Sequence, residues 1–229
     1  FLLFEFSIMI IWILLPIDLK HWSITLSLLK VTMTIEKFCV DNGMLYKYWS
    51  ILIVFTDVKN KIMKKIIVTG GLGFIGSNLI DLLLKKKFFV INLDKVTYSS
   101  NFYNTKEFLG NKRYKFIKCN INDKKIKNIF FKYKPSCIFN LAAETHVDRS
   151  IDSPNDFIDS NIVGVYNILE CFKSYSAKHK NTKLIHISTD SVFDGIKGYY
   201  KENDIPNPTS VYGMSKLQGE LIIKNSNLP

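Results

Sequence analysis

The chain has 229 residues, 47% hydrophobic, 22% charged and 14% aromatic, which suffices for one core of ordinary domain size and excludes a disordered or collagen-like chain. Its four cysteines (Cys39, Cys119, Cys137, Cys171) have neither zinc-ligand nor redox-motif spacing, so no disulfide scaffold or metal site is expected and a reducing, cytoplasmic compartment is. The formal charge of +11 rests on lysine, with arginine only at Arg113 and Arg149; nucleic-acid recognition is therefore not expected, while a positive field suits a small anionic substrate such as a nucleotide diphosphate.

Residues 1–62 stand apart from the rest. They open with an apolar run over 1–17, interrupted by Glu5 and Pro16, and contain no glycine before Gly43. The run is short for a bilayer core, carries a charge, and lacks the basic start and small-residue cleavage site of a signal peptide. Three readings stay open: translated sequence upstream of a start at Met63, an interfacial segment, or an additional soluble region. A membrane span is not expected.

From Met63 the pattern is regular. Residues 65–69 form a short β-branched run that reads as a buried parallel strand. It passes into Gly70-Gly71-Leu72-Gly73-Phe74-Ile75-Gly76, and residues 77–87 read as a helix. A second strand over 88–93 ends at Asp94. Further apolar runs at 114–119, 136–141 and 183–188 alternate with helical stretches around 123–134 and 153–178. Strand and helix repeated in this way predict an α/β fold, a Rossmann-type doubly wound parallel sheet covered on both faces.

The glycine loop has a physical role. Glycines permit a tight turn and a close approach of backbone to pyrophosphate, and the helix N-terminus supplies unpaired N–H groups to the anion. Asp94, at the end of the next strand, can accept hydrogen bonds from ribose hydroxyls and would repel a 2′-phosphate, which favours NAD over NADP. Farther along, Tyr212-Gly213-Met214-Ser215-Lys216 puts a phenol and an ammonium on one helix face. An ammonium near a phenol is expected to lower its pKa towards neutrality, so that Tyr212 can take a proton from a sugar hydroxyl. Thr189, just past the last strand, can hydrogen-bond the same substrate oxygen.

Gly-x-x-Gly-x-x-Gly after Thr69, joined with Tyr-x-x-x-Lys, resembles the extended branch of the short-chain dehydrogenase/reductase superfamily. Asp94-Lys95-Val96-Thr97-Tyr98, residues 141–151 (LAAETHVDRSI) and Asn161-Ile162-Val163-Gly164 resemble the dTDP-glucose 4,6-dehydratase family over residues 63–180. That resemblance implies an NAD-binding Rossmann domain at 63–229, continued beyond Pro229 by a smaller substrate-binding lobe, in a homodimer acting on a dTDP-linked sugar. It implies cofactor contacts from Gly70, Gly73, Phe74, Ile75, Gly76, Asp94, Lys95, Val96, Thr97, Asn120, Ile121, Leu141, Ala142, Ala143, Thr145, Ser160, Tyr212 and Lys216. Thr145 and Thr189 would also reach substrate, and Thr189, Asp190, Tyr212 and Lys216 would form the catalytic set, with Asp190 protonating the leaving hydroxyl on sugar carbon 6.

Two positions depart from that family. Asn120 replaces the usual aspartate beside the adenine. Ser191 replaces the glutamate that takes the proton from sugar carbon 5, and losing such a base costs roughly 100- to 10,000-fold. Residues 188–195 (STDSVFDG), with 200–204 (YKEND) and Pro208, are instead similar to the dTDP-4-dehydrorhamnose reductase family. Dehydratase, 4-keto reductase or 4-epimerase, and a non-catalytic dinucleotide-binding module all remain open at this point.

Overall fold

Uninterrupted runs of Ile, Val, Leu and Phe make the central strands, because a strand covered on both faces has no polar side to show. The computed structural model describes residues 64–197, 200–201 and 203–226, together with the backbone of three strands at 11–14, 29–40 and 44–55. The main sheet is built from β1 (Ile11–Leu14), β4 (Lys65–Thr69), β5 (Phe89–Asp94), β6 (Tyr114–Lys118), β7 (Cys137–Asn140) and β8 (Lys183–Ile187), in spatial order β1-β8-β7-β4-β5-β6. All its pairings are parallel except that of β1 with β8. The expected parallel sheet is thus present, with an antiparallel edge strand that the sequence did not suggest.

A separate hairpin pairs β2 (Leu29–Val40) with β3 (Met44–Phe55), from Leu29 opposite Phe55 to Val40 opposite Met44. Two compact units result, residues 1–16 with 63–229 and residues 17–62, where the sequence reading divides the chain at 63. Met63 and most of the 1–17 run lie outside the described residues. Among the described residues no helix is long and apolar enough to cross a membrane.

The helices are α1 (Phe74–Lys85), α2 (Lys125–Tyr133), α3 (Val147–Asp152), α4 (Pro154–Ile158), α5 (Gly164–Ser176) and α6 (Val211–Lys224). Strand alternation turns Ile67, Ile91, Ile138 and Leu184 into one continuous core with Ile126 and Phe130 of α2, Ile168, Phe172 and Tyr175 of α5, and Ile223 of α6. Alternate strand residues such as Ile66, Val68 and Val90 are buried as well, and α1 packs along β4 and β5. The helix expected over 153–178 is divided. A π-helical turn at Asp159–Val163 separates α4 from α5, and π-turns of this kind are frequent at functional sites.

Candidate active site

In the parallel part of the sheet the chain runs β4 to β5 to β6 one way and then returns to β7 and β8 on the other side of β4. Such a reversal leaves a crevice at the carboxyl ends of the strands. A cleft of about 870 Å³ lies there, within the volume range of ligand sites. Every site residue named above lines it except Val96 and Asp190.

The glycine loop forms one wall. Gly70 adopts φ +69°, and a Cβ on it would stand 2.9 Å from the backbone of Ala142; at Gly76 a Cβ would stand 2.3 Å from the carbonyl oxygen of Gly70. Neither position accepts a side chain. The N-cap of α1 is Gly73, with no side-chain cap and no acidic residue in the first turn, so the positive end of the helix faces the cleft uncompensated. Phe74 is 74% exposed.

Asp94 organises the opposite rim. Its Oδ2 accepts from Leu72 N at 3.0 Å, and its Oδ1 from Val96 N at 2.8 Å and Ser100 Oγ at 2.9 Å. A carboxylate has about four acceptor positions, so one remains on Oδ2 for a hydroxyl. Val96 serves here through its backbone, at φ 63°, rather than by lining the cleft. Lys95 is engaged elsewhere: its Nζ lies 2.9 Å from Glu144 Oε1 and donates to Ser160 Oγ at 2.9 Å. Tyr98 donates to Glu144 Oε2 at 3.3 Å, and the guanidinium of Arg149 sits 3.8 Å above the Tyr98 ring. Asn120 closes its own turn, with Oδ1 accepting from Asn122 N at 3.1 Å.

A buried polar relay fixes the floor. Thr69 Oγ1 donates to Asn140 Oδ1 at 2.7 Å and accepts from the N–H groups of Leu141 and Ala142 at 3.1 and 3.0 Å. Asn140 Nδ2 lies 3.0 Å from His186 Nδ1. Burial holds the His186 pKa well below the ordinary range, so the ring is neutral. From the other side, Asn161 clasps Glu144 through both backbone groups, at 2.9 Å each, and donates to Ser215 Oγ at 2.9 Å. The π-turn is what brings Ser160 to the cleft and Asn161 into the interior.

Tyr212 and Lys216 lie in the first two turns of α6, whose N-cap Ser210 accepts from Gly213 N at 3.0 Å. A Cβ on Gly213 would stand 2.1 Å from Ser191 O, so glycine there lets the turn after β8 press onto the helix. Thr189 Oγ1 accepts from Ser191 N at 3.2 Å and stands 3.2 Å from Ser191 Oγ and 3.3 Å from Asp190 Oδ1. Lys216 Nζ donates to Ile187 O at 2.6 Å. Burial lowers its pKa to about 8, with Glu220 acting in opposition.

The expected fall in the Tyr212 pKa is not found in the protein itself. Burial raises it, the hydrogen bond with Thr189 lowers it, and Asp190 raises it further. Desolvation of the phenolate outweighs the Thr189 hydrogen bond.

Leu93, Ser99, Ser100, Cys119, Val147, Ile187 and Ser188 also line the cleft, without having been assigned to it from the sequence, and so do Glu144 and Ser191. The link of Glu144 to Lys95 spans 49 positions and leaves no local signal in the sequence. No cluster of metal-binding side chains occurs among the described residues.

The family model described as GDP-mannose 4,6 dehydratase matches residues 67–227. The chain is 42% identical over 172 residues to dTDP-glucose 4,6-dehydratase of Haemophilus influenzae, covering 71% of this chain and 51% of that protein. Against the Escherichia coli enzyme of the same name the identity is 40% over 178 residues, covering 70% and 49%. Among solved structures, dTDP-glucose 4,6-dehydratase of Bacillus anthracis in complex with NAD is similar at TM-score 0.60 and 31% identity, over 72% of this chain and 52% of that one. UDP-glucuronic acid 4-epimerase of Bacillus cereus, in complex with UDP-glucuronic acid and NAD, is similar at TM-score 0.63 and 30% identity, over 72% and 53%. The chain spans about half the length of the curated relatives it matches. With a doubly wound sheet, a glycine cradle and a match over residues 67–227, the chain belongs to the GDP-mannose 4,6 dehydratase family.

Proposed function

We propose that the cleft binds NAD and that the protein is a nucleotide-sugar dehydratase of the dTDP-glucose 4,6-dehydratase type, cytoplasmic and homodimeric as the resemblance implies. One observation carries this: the glycine cradle, Asp94 and the Thr189/Tyr212/Lys216 group share a single cleft. The protein fits a dinucleotide. Its pyrophosphate would lie against Gly70, Gly73 and Gly76, which line the cleft at the end where α1 presents N–H groups. The remaining acceptor position of Asp94 would take a ribose hydroxyl, and residues 63–229 form the binding domain.

Bound NAD would accept a hydride from a sugar carbon and return one. The residues of the chain handle protons and position. Tyr212 Oη exchanges the proton of the 4-hydroxyl, and Thr189 Oγ1 orients that oxygen. Lys216, as an ammonium, favours the phenolate against the desolvation that otherwise keeps Tyr212 protonated. Asp190 protonates the leaving hydroxyl at carbon 6 once the turn after β8 presents it.

A second reading, 4-keto reductase or 4-epimerase, is favoured by Ser191. A hydroxyl is a poor base at carbon 5, and the described carboxylates lining the cleft are Asp94, which holds its loop, and Glu144, which is paired with Lys95. Incubating dTDP-glucose with the full-length protein and following the 4-keto-6-deoxy product separates the two. Slow product formation that Ser191→Glu accelerates supports a dehydratase lacking its base. Rapid formation unaffected by Ser191→Glu removes the missing-base argument and leaves the plain dehydratase, and interconversion at carbon 4 without elimination leaves the second reading.

A further inference from the structure

α6 carries a second buried charge that the chemistry above does not use. Glu220 follows Lys216 by one helical turn, so the two share a face, and both are buried, at 8% and 4% exposure. Ser188 Oγ donates to Glu220 Oε1, and Lys216 Nζ donates to Ile187 O. The helix is thus fastened to the end of β8 at two consecutive residues, immediately before Thr189. A buried carboxylate is costly unless it accepts hydrogen bonds and has a cation nearby; here it accepts from Ser188, with Lys216 one turn away on the same helix face.

We propose that Glu220 is a positioning residue, the buried counter-charge that keeps Lys216 an ammonium while its bond to Ser188 holds Thr189 beside Tyr212. The groups around Lys216 leave this task to it. His186 on β8 is neutral, the Tyr212 phenol is protonated, and Asp190 acts on Tyr212. Glu220 acts on Lys216 itself, against burial.

The sign of its effect is fixed. The carboxylate favours the charged lysine, so removing it lets desolvation dominate and the proton leaves at lower pH. The inference rests on the proposed function for what Lys216 does, but the ionisation of Lys216 is readable without turnover. In the full chain carrying isotope-labelled lysine, the Lys216 side-chain resonance, assigned by its loss in Lys216→Met, titrates near pH 8. In Glu220→Gln its midpoint falls by about one pH unit. In Glu220→Asp, whose shorter carboxylate withdraws from Ser188, it falls by less, and this variant decides the matter if the glutamine variant does not fold. Ser188→Ala, which keeps the charge, leaves the midpoint in place. A Lys216 midpoint unmoved in the folded Glu220 variants would overturn the proposal. Failure of the wild-type chain to bind NAD would overturn the functional reading instead, and the titration would still decide the role of Glu220.

Discussion

A Cβ at Gly70 would combine φ +69° with a 2.9 Å approach to the Ala142 backbone. Gly70→Ala is therefore expected to lower stability by about 1–3 kcal/mol and to weaken NAD binding at least about tenfold. Denaturant midpoints and calorimetric titration measure both. Gly110, at φ +86° with open space around it, is the control: Gly110→Ala strains a turn and leaves NAD affinity unchanged. The thiols offer a second test. Burial pushes Cys119 and Cys137 up to about 12 from an ordinary value near 9, so at pH 8 they stay protonated in the folded chain. An alkylating reagent at that pH should leave both unmodified until denaturant is added, as mass spectrometry of digested protein would read. At this scale the sequence displayed glycine, Asp94, Tyr212 and Lys216, because their chemistry depends on residue type at short spacing. It did not display the Thr69–Asn140–His186 relay or the Lys95–Glu144 pair, whose members meet only after the strands are ordered.

Elements place these residues. The strands and α1 were legible from apolar runs and the glycine loop, although α1 starts at Phe74, inside the glycine motif, rather than at the predicted residue 77. The π-turn was not legible, since an amphipathic pattern over 153–178 reads as one helix. What breaks it is tertiary: Asn161 turns inward to hold Glu144, and Gly164 lies so close to Ile121 that a Cβ there would meet Ile121 Cδ1 at 2.4 Å. The packing of α2 on α5 is carried by Phe130 and Tyr175, with ring centroids 6.1 Å apart. Phe130→Ala should cost about 3–5 kcal/mol, read as a lowered denaturant midpoint at unchanged slope. Gly213→Ala should act differently. By pushing Ser191 O away from α6 it would displace Thr189 and Asp190, so turnover by the full-length protein falls while NAD affinity persists.

The whole molecule explains why distant segments form one site. With β4 central and β7 on the side opposite β5, the loops after β4, β5, β7 and β8 converge on the same crevice. Alternating strands and helices made this arrangement predictable; the antiparallel β1 edge carries no such signal, and the β2–β3 hairpin went unread although Asp41-Asn42-Gly43, a hairpin turn signal, stands between its strands. The central claim is that this crevice is an NAD site whose selectivity comes from Asp94. Calorimetric titration of the chain with NAD and with NADP tests it most directly. The account predicts a single NAD site, NADP binding at least about tenfold weaker because its 2′-phosphate meets a carboxylate, and a loss of that preference in Asp94→Asn. Tighter binding of NADP than of NAD, or no binding of either by the folded chain, would contradict it.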